Sequence, residues 1–251
     1  MVKFDDKILE RFSRQIIIDK VGIEGQQKIM KSSILIVGCG GLGSSAAQYL
    51  VMSGIGQITL VDNDEINLSN LNRQTLFLEK DLGKKKAISL AKKLKKINPF
   101  TKVNHLHLKL SKKNINKLTN KFEILLDCSD NFETKYLLNK FCIKRKKKFV
   151  SAALQNFDVQ AHAFCAWENS TNPCYECIFP QKLNTNSMSC DEMGILAPVA
   201  GFGGILQAIL TLDIILKSDK DIFKEMILFD SFKRNFTKIK TKKNKNCLIC
   251  N

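Results

Sequence analysis

A glycine cluster is the first candidate binding site in the sequence. Residues Gly38 to Gly43 read Gly-Cys-Gly-Gly-Leu-Gly and satisfy the pattern Gly-x-Gly-x-x-Gly. Glycines at this spacing permit a tight turn and let backbone N–H groups approach phosphate oxygens, while the N-terminus of a following helix favours negative charge. Asp62, at the end of the next predicted strand, can accept hydrogen bonds from ribose hydroxyls. The pattern predicts a nucleotide site and leaves nicotinamide, flavin and ATP all open.

Charged and amide side chains follow this turn. They are Asp64, Asn70, Arg73, Gln74, Lys86, Asp127 and Asp130. Each lies at or soon after the carboxyl end of a predicted strand, where doubly wound sheets bind ligands. Arginine and lysine beside a triphosphate, with a carboxylate to hold Mg²⁺, stabilise the charge that develops on phosphate oxygens. A surface salt bridge explains any one of these residues equally well, whereas the set favours nucleotidyl transfer.

Two Cys-x-x-Cys pairs predict a metal site. Cys174 and Cys177 form one pair, and Cys247 and Cys250 form the other. Four thiolates suit tetrahedral Zn²⁺, and a zinc ion with all four positions filled by protein is structural. Such an ion would tie the C-terminal tail to the preceding loop. A thioredoxin-like redox role is disfavoured because neither pair lies at a predicted helix start.

The remaining cysteines divide into two groups. Nine cysteines without an export signal indicate reduced thiols, metal ligands or catalysis rather than structural disulfides. Cys39, Cys128, Cys142 and Cys165 lie in or beside predicted strands and helices, which favours a packing role. Cys190 stands apart in the segment Ser-Met-Ser-Cys-Asp-Glu-Met-Gly, and the residues alone leave a reactive thiol and an incidental one equally open.

Alternating strands and helices must position these groups. Short β-branched apolar runs, bounded by glycines or by Asn-Pro, predict strands at residues 34–37, 57–61, 102–109, 122–127 and 148–153. Apolar residues at helical spacing predict helices at residues 43–53, 84–97, 114–120 and 134–146. The order predicts an α/β fold with a doubly wound, Rossmann-like, mostly parallel sheet.

The whole chain, residues 1–251, is predicted to form a single domain in three parts. Residues 1–31 are N-terminal helices, residues 32–155 are the nucleotide-binding part, and residues 156–251 are the C-terminal part. The last part is predicted to add antiparallel strands at residues 159–167 and 226–230, with a helix at residues 205–216 between them. Residues 168–194 contain three cysteines among Pro, Asn, Ser and Thr, which predicts a long irregular loop of functional importance.

Composition limits the classes of partner. Lys and Arg number 40 against 24 Asp and Glu, giving a net charge of +16. This charge attracts nucleic acid, nucleotide phosphates or an acidic protein and does not choose among them. The lysines occur in short runs interleaved with apolar residues, which favours solvated faces over a nucleic-acid surface.

Neither a membrane span nor an export signal is expected. The apolar stretch at residues 195–216 approaches spanning length, but it contains Pro198, Gly201 and Asp213, so a loop that enters a buried helix is the better interpretation. The N-terminus is charged and lacks the features of a secretory signal, so a cytoplasmic protein is expected.

Taken together, the motifs resemble those of the ThiF/MoeB/HesA adenylyltransferases, which are relatives of ubiquitin-activating enzymes. The block from Asn70 to Gln74, together with the paired cysteines, is more specific than the glycine turn. The matching motifs extend over nearly the whole chain: Arg11-Phe-Ser-Arg-Gln15, Gly38 to Gly43, Asp62-Asn-Asp64, Leu68 to Gln74, Asp127-Cys-Ser-Asp-Asn131, Cys174 with Cys177, Cys190, and Cys247-Leu-Ile-Cys250.

The resemblance implies a reaction and its partners. The C-terminal glycine carboxylate of a ubiquitin-like sulfur carrier ending in Gly-Gly attacks the α-phosphorus of ATP, which gives carrier adenylate and pyrophosphate. A separate sulfur donor, such as a cysteine desulfurase or a rhodanese-type protein, then completes thiocarboxylate formation for thiamine or molybdopterin biosynthesis. The resemblance also implies a homodimer, and it places carrier and zinc binding in residues 156–251.

Roles follow residue by residue from the family's pattern. Asp62 would hold the ribose, Asn70, Arg73 and Lys86 the phosphates, and Asp130 the Mg²⁺ and the adenylate. The expected nucleotide-binding residues are Gly38, Gly40, Gly41, Gly43, Asp62, Asp64, Asn70, Arg73, Gln74, Lys86 and Asp130.

Two further residues are expected to act with these in catalysis. Arg14 would reach the triphosphate from the other protomer of the homodimer. Cys190 matches a position that some family members use for a covalent sulfur or acyl link to the carrier and that others do not require. The expected catalytic set is Arg14, Arg73, Lys86, Asp130 and Cys190.

Two other functions compete with carrier adenylation. A nicotinamide or flavin oxidoreductase uses the same glycine turn. A basic nucleic-acid-binding or tRNA-modifying protein is suggested by the charge of +16. The four cysteines and the compact length favour the carrier-activating branch, so nucleic acid is not the expected partner.

Overall fold

The computed structural model describes residues 4–118, 121–181, 194–217 and 221–251. Its strands are β1 Ser33–Val37, β2 Gln57–Val61, β3 Lys102–Leu106, β4 Ile124–Asp127, β5 Lys148–Gln155, β6 Asp158–Phe164, β7 Glu225–Asp230 and β8 Asn235–Lys240. Its α-helices are α1 Asp6–Ile16, α2 Gly22–Lys31, α3 Gly41–Met52, α4 Lys86–Ile97, α5 Phe132–Lys144, α6 Tyr175–Ile178 and α7 Ala197–Leu216.

Within the described residues, the strands form one eight-stranded sheet in the order β3-β2-β1-β4-β5-β6-β7-β8. The first five positions pair in parallel, and β5 to β8 pair antiparallel. The chain passes from β1 to β2 on one side and returns to β4 on the other. The predicted doubly wound, mostly parallel sheet with antiparallel C-terminal strands is confirmed. Ligands of such sheets bind outside the strand ends at this change of direction.

The apolar run of β1 supplies both faces of the sheet. Ile34 and Ile36 join the core that contains residues of α3, α4 and α7, whereas Leu35 and Val37 join the core that contains residues of α5 and α6. Successive side chains of a strand point to opposite faces, so a strand covered on both faces is apolar throughout. This packing explains why the sequence shows a continuous apolar run there instead of an alternation.

The predicted start of the long apolar helix was wrong. The helix α7 begins at Ala197 rather than at residue 205. Pro198 lies in its first turn, where a missing N–H removes no helical hydrogen bond. Gly204 permits close packing on α3, because a Cβ there would lie 2.3 Å from the carbonyl oxygen of Leu42. Although α7 is long and apolar enough to cross a membrane, 56% of its most apolar stretch is buried within the fold, in agreement with a core helix.

Several shorter predictions need correction. The strand predicted to reach residue 109 ends at Leu106, and the helix predicted at residues 114–120 is a single 3-10 turn at Ile115–Lys117. The loop predicted at residues 168–194 contains α6, and residues 182–193 lie outside the described part of the chain. The strand β8 was not predicted, because its lysines and exposed positions lack an apolar pattern.

Candidate active site

A cleft of about 720 Å³ opens at the carboxyl ends of β1, β2 and β4. It lies at the change of direction in the sheet, as expected for a doubly wound fold. The structure brings ten of the expected nucleotide-binding residues to its wall: Gly38, Gly40, Gly41, Asp62, Asp64, Asn70, Arg73, Gln74, Lys86 and Asp130.

The glycine turn forms the base of this cleft and opens α3. Gly38 has a φ of +93°, and a Cβ there would lie 2.5 Å from the carbonyl oxygen of Cys128. Gly43 does not line the cleft; a Cβ on it would lie 1.9 Å from the carbonyl oxygen of Gly38, so its role is close packing of the turn. Gly40 is the N-cap of α3 and brings no side chain to the helix start. Backbone N–H groups of the first turn therefore remain available to an anion.

Asp62 is held by two backbone donors. Its Oδ2 accepts the N–H of Cys39 at 2.6 Å, and its Oδ1 accepts the N–H of Asp64 at 2.7 Å. Burial raises the pKa of Asp62 above its usual value, and the two N–H groups act in the opposite direction. Each carboxylate oxygen keeps a lone pair for another donor. This geometry suits a carboxylate that accepts hydroxyl groups of a sugar.

Lys86 enters the cleft as a nearly buried cation. Its Nζ lies 3.0 Å from Oδ2 of Asp64, and its backbone N–H donates to the carbonyl of Asp64 at 2.9 Å. The side chain of Lys86 is 9% exposed and that of Asp64 is 57% exposed. The ammonium is thus oriented by one carboxylate before any ligand is present.

The segment from Leu68 to Gln74 folds back over the cleft. A 3-10 turn spans Leu68–Asn70, and the Oδ1 of Asn70 accepts the N–H of Asn67 at 3.1 Å. The Nη1 of Arg73 donates to the carbonyl of Ser69 at 2.9 Å, which holds the guanidinium at the cleft wall. Gln74 is buried, and its Oε1 has no hydrogen-bond partner among the described residues.

The last residue of β4, Asp127, and the aspartate three residues after it, Asp130, differ in their surroundings. Asp130 is exposed and lines the cleft, and the Nδ2 of Asn131 donates to its Oδ1 at 3.1 Å. Asp127 is fully buried, pairs with Lys135 at 2.7 Å and does not line the cleft. The expectation that Asp127 joins the charged set at the ligand was therefore wrong. It is the last residue of β4, and its side chain points into the fold.

Arg14 is not among the described residues that line the cleft. Arg14 is exposed on α1 and does not line the cleft of its own chain, so its expected action from a second protomer stays a prediction. Cys190 lies outside the described residues. Cys39, Cys128, Cys142 and Cys165 are buried as predicted. Burial raises the pKa of each of these four thiols, which fits packing rather than reactivity.

The four remaining cysteines come together away from the cleft. The Sγ atom of Cys174 lies 3.8 Å from that of Cys177 and 3.7 Å from that of Cys247, and Cys177 lies 3.5 Å from Cys250. All four sulfur atoms lie within 4.8 Å of one another. Four ligands on a tetrahedron with Zn–S bonds near 2.3 Å are about 3.8 Å apart. The cluster can therefore hold a tetrahedral metal ion with no open position.

Sequence reasoning missed part of the cleft wall. Further hydrogen-bonding side chains that line it are Asn63, Asn67, Ser69, Lys109, Ser129, Asn131 and Thr134. Most of these lie inside or beside the recognised motifs, and this proximity is the signal that could have identified them. Leu108, Ile195 and Ala200 reach the cleft from distant parts of the chain and carry no sequence signal.

The arrangement combines a helix N-terminus, a guanidinium and two lysine ammonium groups with three carboxylates in one cleft. The cations and N–H groups suit a polyphosphate, and the carboxylates suit a sugar and a divalent cation. A family model described as the ThiF family matches residues 12–249. The chain belongs to the ThiF family.

Curated relatives share this membership at moderate identity. The adenylyltransferase and sulfurtransferase MOCS3 of Xenopus laevis is 37% identical over 242 residues, which cover 96% of this chain and 53% of that protein. The sulfur carrier protein adenylyltransferase of Thermus thermophilus is 33% identical, covering 96% of this chain and 90% of that protein. The SAMP-activating enzyme E1 of Haloferax volcanii is 32% identical, covering 99% of this chain and 91% of that protein. The chain thus spans about half the length of MOCS3 and most of the two prokaryotic relatives.

Solved structures show the same ThiF-type fold. Escherichia coli MccB in its structure with ATP superimposes with a TM-score of 0.79 at 26% identity, covering 90% of this chain and 68% of that chain. MccB with AMPCPP and selenomethionyl MccA superimposes with a TM-score of 0.82 at 25% identity, covering 96% of this chain and 74% of that chain. An ATP complex on the same fold agrees with the nucleotide chemistry that the cleft suits.

Proposed function

We propose that this chain is an ATP-dependent adenylyltransferase that activates the C-terminal glycine carboxylate of a small ubiquitin-like sulfur-carrier protein. The main observation behind this proposal is that one cleft contains the N-terminus of α3 together with Arg73, Lys86, Asp62 and Asp130. The adenylyltransferases among the ThiF-family relatives, one of them named for a sulfur carrier, support this chemistry.

The reaction needs no general base. A glycine carboxylate is already ionised at neutral pH, so its oxygen attacks the α-phosphorus directly while the bond to the bridging oxygen of the β-phosphate breaks. The products are carrier adenylate and pyrophosphate, and no proton is transferred. The barrier comes from bringing two anions together, so positioning and charge neutralisation supply the rate. Arg73, Lys86 and the first turn of α3 do this on the phosphates, and Asp62 fixes the ribose.

Asp130 is proposed to hold Mg²⁺. Its carboxylate is exposed at the cleft wall, and oxygen ligands are those that this hard cation prefers. When bound, Mg²⁺ neutralises charge on the phosphate oxygens. Asn131 donates to one oxygen of Asp130 and so limits its rotation.

Cys174, Cys177, Cys247 and Cys250 are proposed to hold a structural Zn²⁺. Three of their sulfur–sulfur distances are 3.5 to 3.8 Å and all are within 4.8 Å, which fits the tetrahedron that this ion prefers. Such an ion would link α6 to the segment after β8 and would stabilise the fold away from the cleft.

A homodimer is proposed in which Arg14 of one protomer serves the cleft of the other. The support is the exposure of Arg14 on α1 and its absence from the cleft of its own chain. Mixing Arg14→Ala with Arg73→Ala protein tests this, because a mixed dimer contains one cleft with both arginines intact. Exchange activity that returns on mixing supports the dimer, and no recovery between two folded variants argues against it.

The proposed pathway is thiamine or molybdopterin biosynthesis, with sulfur supplied by a separate donor protein. The family relatives support a sulfur carrier in general and do not choose between the two routes. Purified carriers from each route, offered in turn, identify the carrier that drives the reaction.

The deciding experiment is exchange of labelled pyrophosphate into ATP with and without a carrier ending in Gly-Gly. Exchange that requires the carrier and is lost in Arg73→Ala and Asp130→Ala is the expected result. Lys95→Ala is the matched control, since this exposed lysine on α4 lies outside the cleft. No exchange with any carrier, or salt-dependent binding of tRNA in its place, overturns the proposal.

A further inference from the structure

A buried ion pair lies beside the cleft without lining it. The Nζ of Lys135 is 2.7 Å from Oδ2 of Asp127, and the two side chains are 5% and 0% exposed. Removing two charges from water is unfavourable, and apolar residues of similar volume are often at least as stabilising. Stability alone is therefore a weak explanation for this pair.

The Asp127 carboxylate organises the turn that follows β4. Its Oδ1 accepts both the N–H and the hydroxyl of Ser129, at 3.1 Å and 2.5 Å. Its Oδ2 accepts the hydroxyl of Ser151 on β5 at 2.7 Å. Ser129 directly precedes Asp130, so the carboxylate holds the turn one residue before the proposed Mg²⁺ ligand.

Lys135 fixes the other side of the same turn. Its Nζ also donates to the carbonyl of Ala152 on β5 at 2.9 Å, which locks the first turns of α5 onto the sheet. The N-cap of α5 is Asn131, whose Oδ1 accepts the N–H of Thr134 at 2.9 Å. Asp130 thus lies between two anchored points, Ser129 before it and Asn131 after it, and the ion pair joins their supports.

A third element reinforces this arrangement from α7. The Nε2 of Gln207 donates to the carbonyl of Asp127 at 2.7 Å, and Gln207 is fully buried. Together, β4, β5, α5 and α7 each supply a polar group to one short segment. They anchor the chain directly next to Asp130, whose exposed side chain lies at the cleft wall.

We propose that the buried Asp127–Lys135 pair is a positioning device for Asp130, which sets where its carboxylate meets the Mg²⁺ that accompanies ATP. The inference rests on the proposed function, in which Asp130 takes that cation. Asp127 and Lys135 touch neither ATP nor the carrier and act only through the turn between β4 and α5.

Lys135→Met is the principal test variant. It removes the cation and leaves Asp127 buried without it, so the turn at residues 128–131 loosens. Displacement of a reacting group by a fraction of an ångström to one ångström lowers rate by about tenfold to a hundredfold. Lys135→Arg keeps the charge and a donor, and it is expected to retain most of the rate that Lys135→Met loses.

Two measurements separate positioning from folding. Calorimetry gives the ATP affinity with and without Mg²⁺, and amide hydrogen exchange reports protection at residues 128–131. In Lys135→Met, the gain in ATP affinity that Mg²⁺ provides should fall by about tenfold while ATP binding without Mg²⁺ persists. Leu138→Ala is the matched control, because it truncates a fully buried side chain on the same helix and leaves the ion pair intact.

The outcomes distinguish this inference from the proposed function. If Lys135→Met retains the Mg²⁺-dependent gain and the protection of residues 128–131, or if Leu138→Ala loses them equally, the positioning role is wrong. If the wild-type protein binds ATP with Mg²⁺ but never exchanges pyrophosphate, adenylation is overturned while the binding measurement still decides the role of Lys135. A wild-type protein that binds no ATP overturns both.

Discussion

The ammonium of Lys86 is held 3.0 Å from the carboxylate of Asp64, and both line the cleft proposed to bind ATP. Lys86 is nearly buried, whereas Asp64 is largely exposed. A triphosphate that enters the cleft therefore meets a cation that is already oriented by Asp64.

Lys86→Met is expected to lower the rate of ATP–pyrophosphate exchange by about a hundredfold or more, because a preorganised cation near developing phosphate charge is lost. Asp64→Asn should retain most of the activity, because the amide oxygen can still accept from the Lys86 ammonium and the backbone bond from Lys86 to residue 64 persists. Lys85→Met, a change at the exposed neighbour, is the control. Equal losses in Lys86→Met and Asp64→Asn would assign the carboxylate a direct role at the nucleotide.

Gly43→Ala is expected to destabilise the glycine turn. The new Cβ would lie 1.9 Å from the carbonyl oxygen of Gly38, and overpacking of this kind lowers the free energy of unfolding by about 3 kcal/mol. Gly201→Ala in α7 is the matched control, because nothing lies within 4 Å of its Cβ position, and it should raise stability by about 0.5–1 kcal/mol. Urea unfolding of the three proteins measures both changes. Equal stability of Gly43→Ala and wild type would show that the turn can relax.

His162 is expected to make the fold sensitive to acid. Burial lowers its pKa from the usual 6.5 to about 4, and its Nδ1 has no partner among the described residues. The neutral ring is favoured in the folded state, so its contribution is fully present above pH 6.5 and is lost as the pH falls towards 4. Between pH 8 and pH 5 this loss is about 2 kcal/mol in the free energy of unfolding.

Substitution separates His162 from other titrating groups. The imidazole ring of His162 stacks on Phe164, with 4.2 Å between the ring centroids, so a phenylalanine suits the site. His162→Phe should remove this part of the pH dependence. His107→Gln, at an exposed histidine, should leave the dependence unchanged. Urea unfolding at both pH values decides, and a wild-type slope retained in His162→Phe would contradict the assignment.

Metal removal should weaken the fold without direct action on the cleft. The cysteine cluster is expected to bind one Zn²⁺ per chain, and a chelator should lower the free energy of unfolding by about 4 kcal/mol where free metal exceeds Kd a thousandfold. Cys247→Ser should lose the ion, and Cys142→Ala, at a buried cysteine outside the cluster, should keep it. Metal analysis and thermal unfolding test this. A wild-type protein that is stable and contains no metal would show that the fold does not depend on zinc.

Cys190→Ala is expected to leave carrier-dependent ATP–pyrophosphate exchange unchanged, because adenylation uses no thiol. Formation of the carrier thiocarboxylate is expected to fall if Cys190 carries the sulfur or acyl link that the family pattern implies. Mass spectrometry of the carrier after incubation with the sulfur donor measures this step. Loss of exchange itself would place Cys190 in adenylation.

Local patterns fixed those parts of the fold and site that depend on neighbours in the chain. The β-branched run of β1 and the glycines that follow it predict a buried strand and a tight turn, because sterics at each residue set these conformations. Likewise, the two Cys-x-x-Cys pairs predict a four-thiol cluster from ligand chemistry alone.

Tertiary structure decided what depends on residues that are distant in the chain. Asp127 is the last residue of β4 and Asp130 follows three residues later, yet Asp127 is buried against Lys135 and Asp130 faces the cleft. The pairing of Asp127 with Ser151 of β5 and the packing of α5 and α7 bury Asp127, whereas Asp130 lies beyond the strand at the cleft. Similarly, Gly204 belongs to a helix because α3 packs against it, a contact that outweighs the weak helical propensity of glycine.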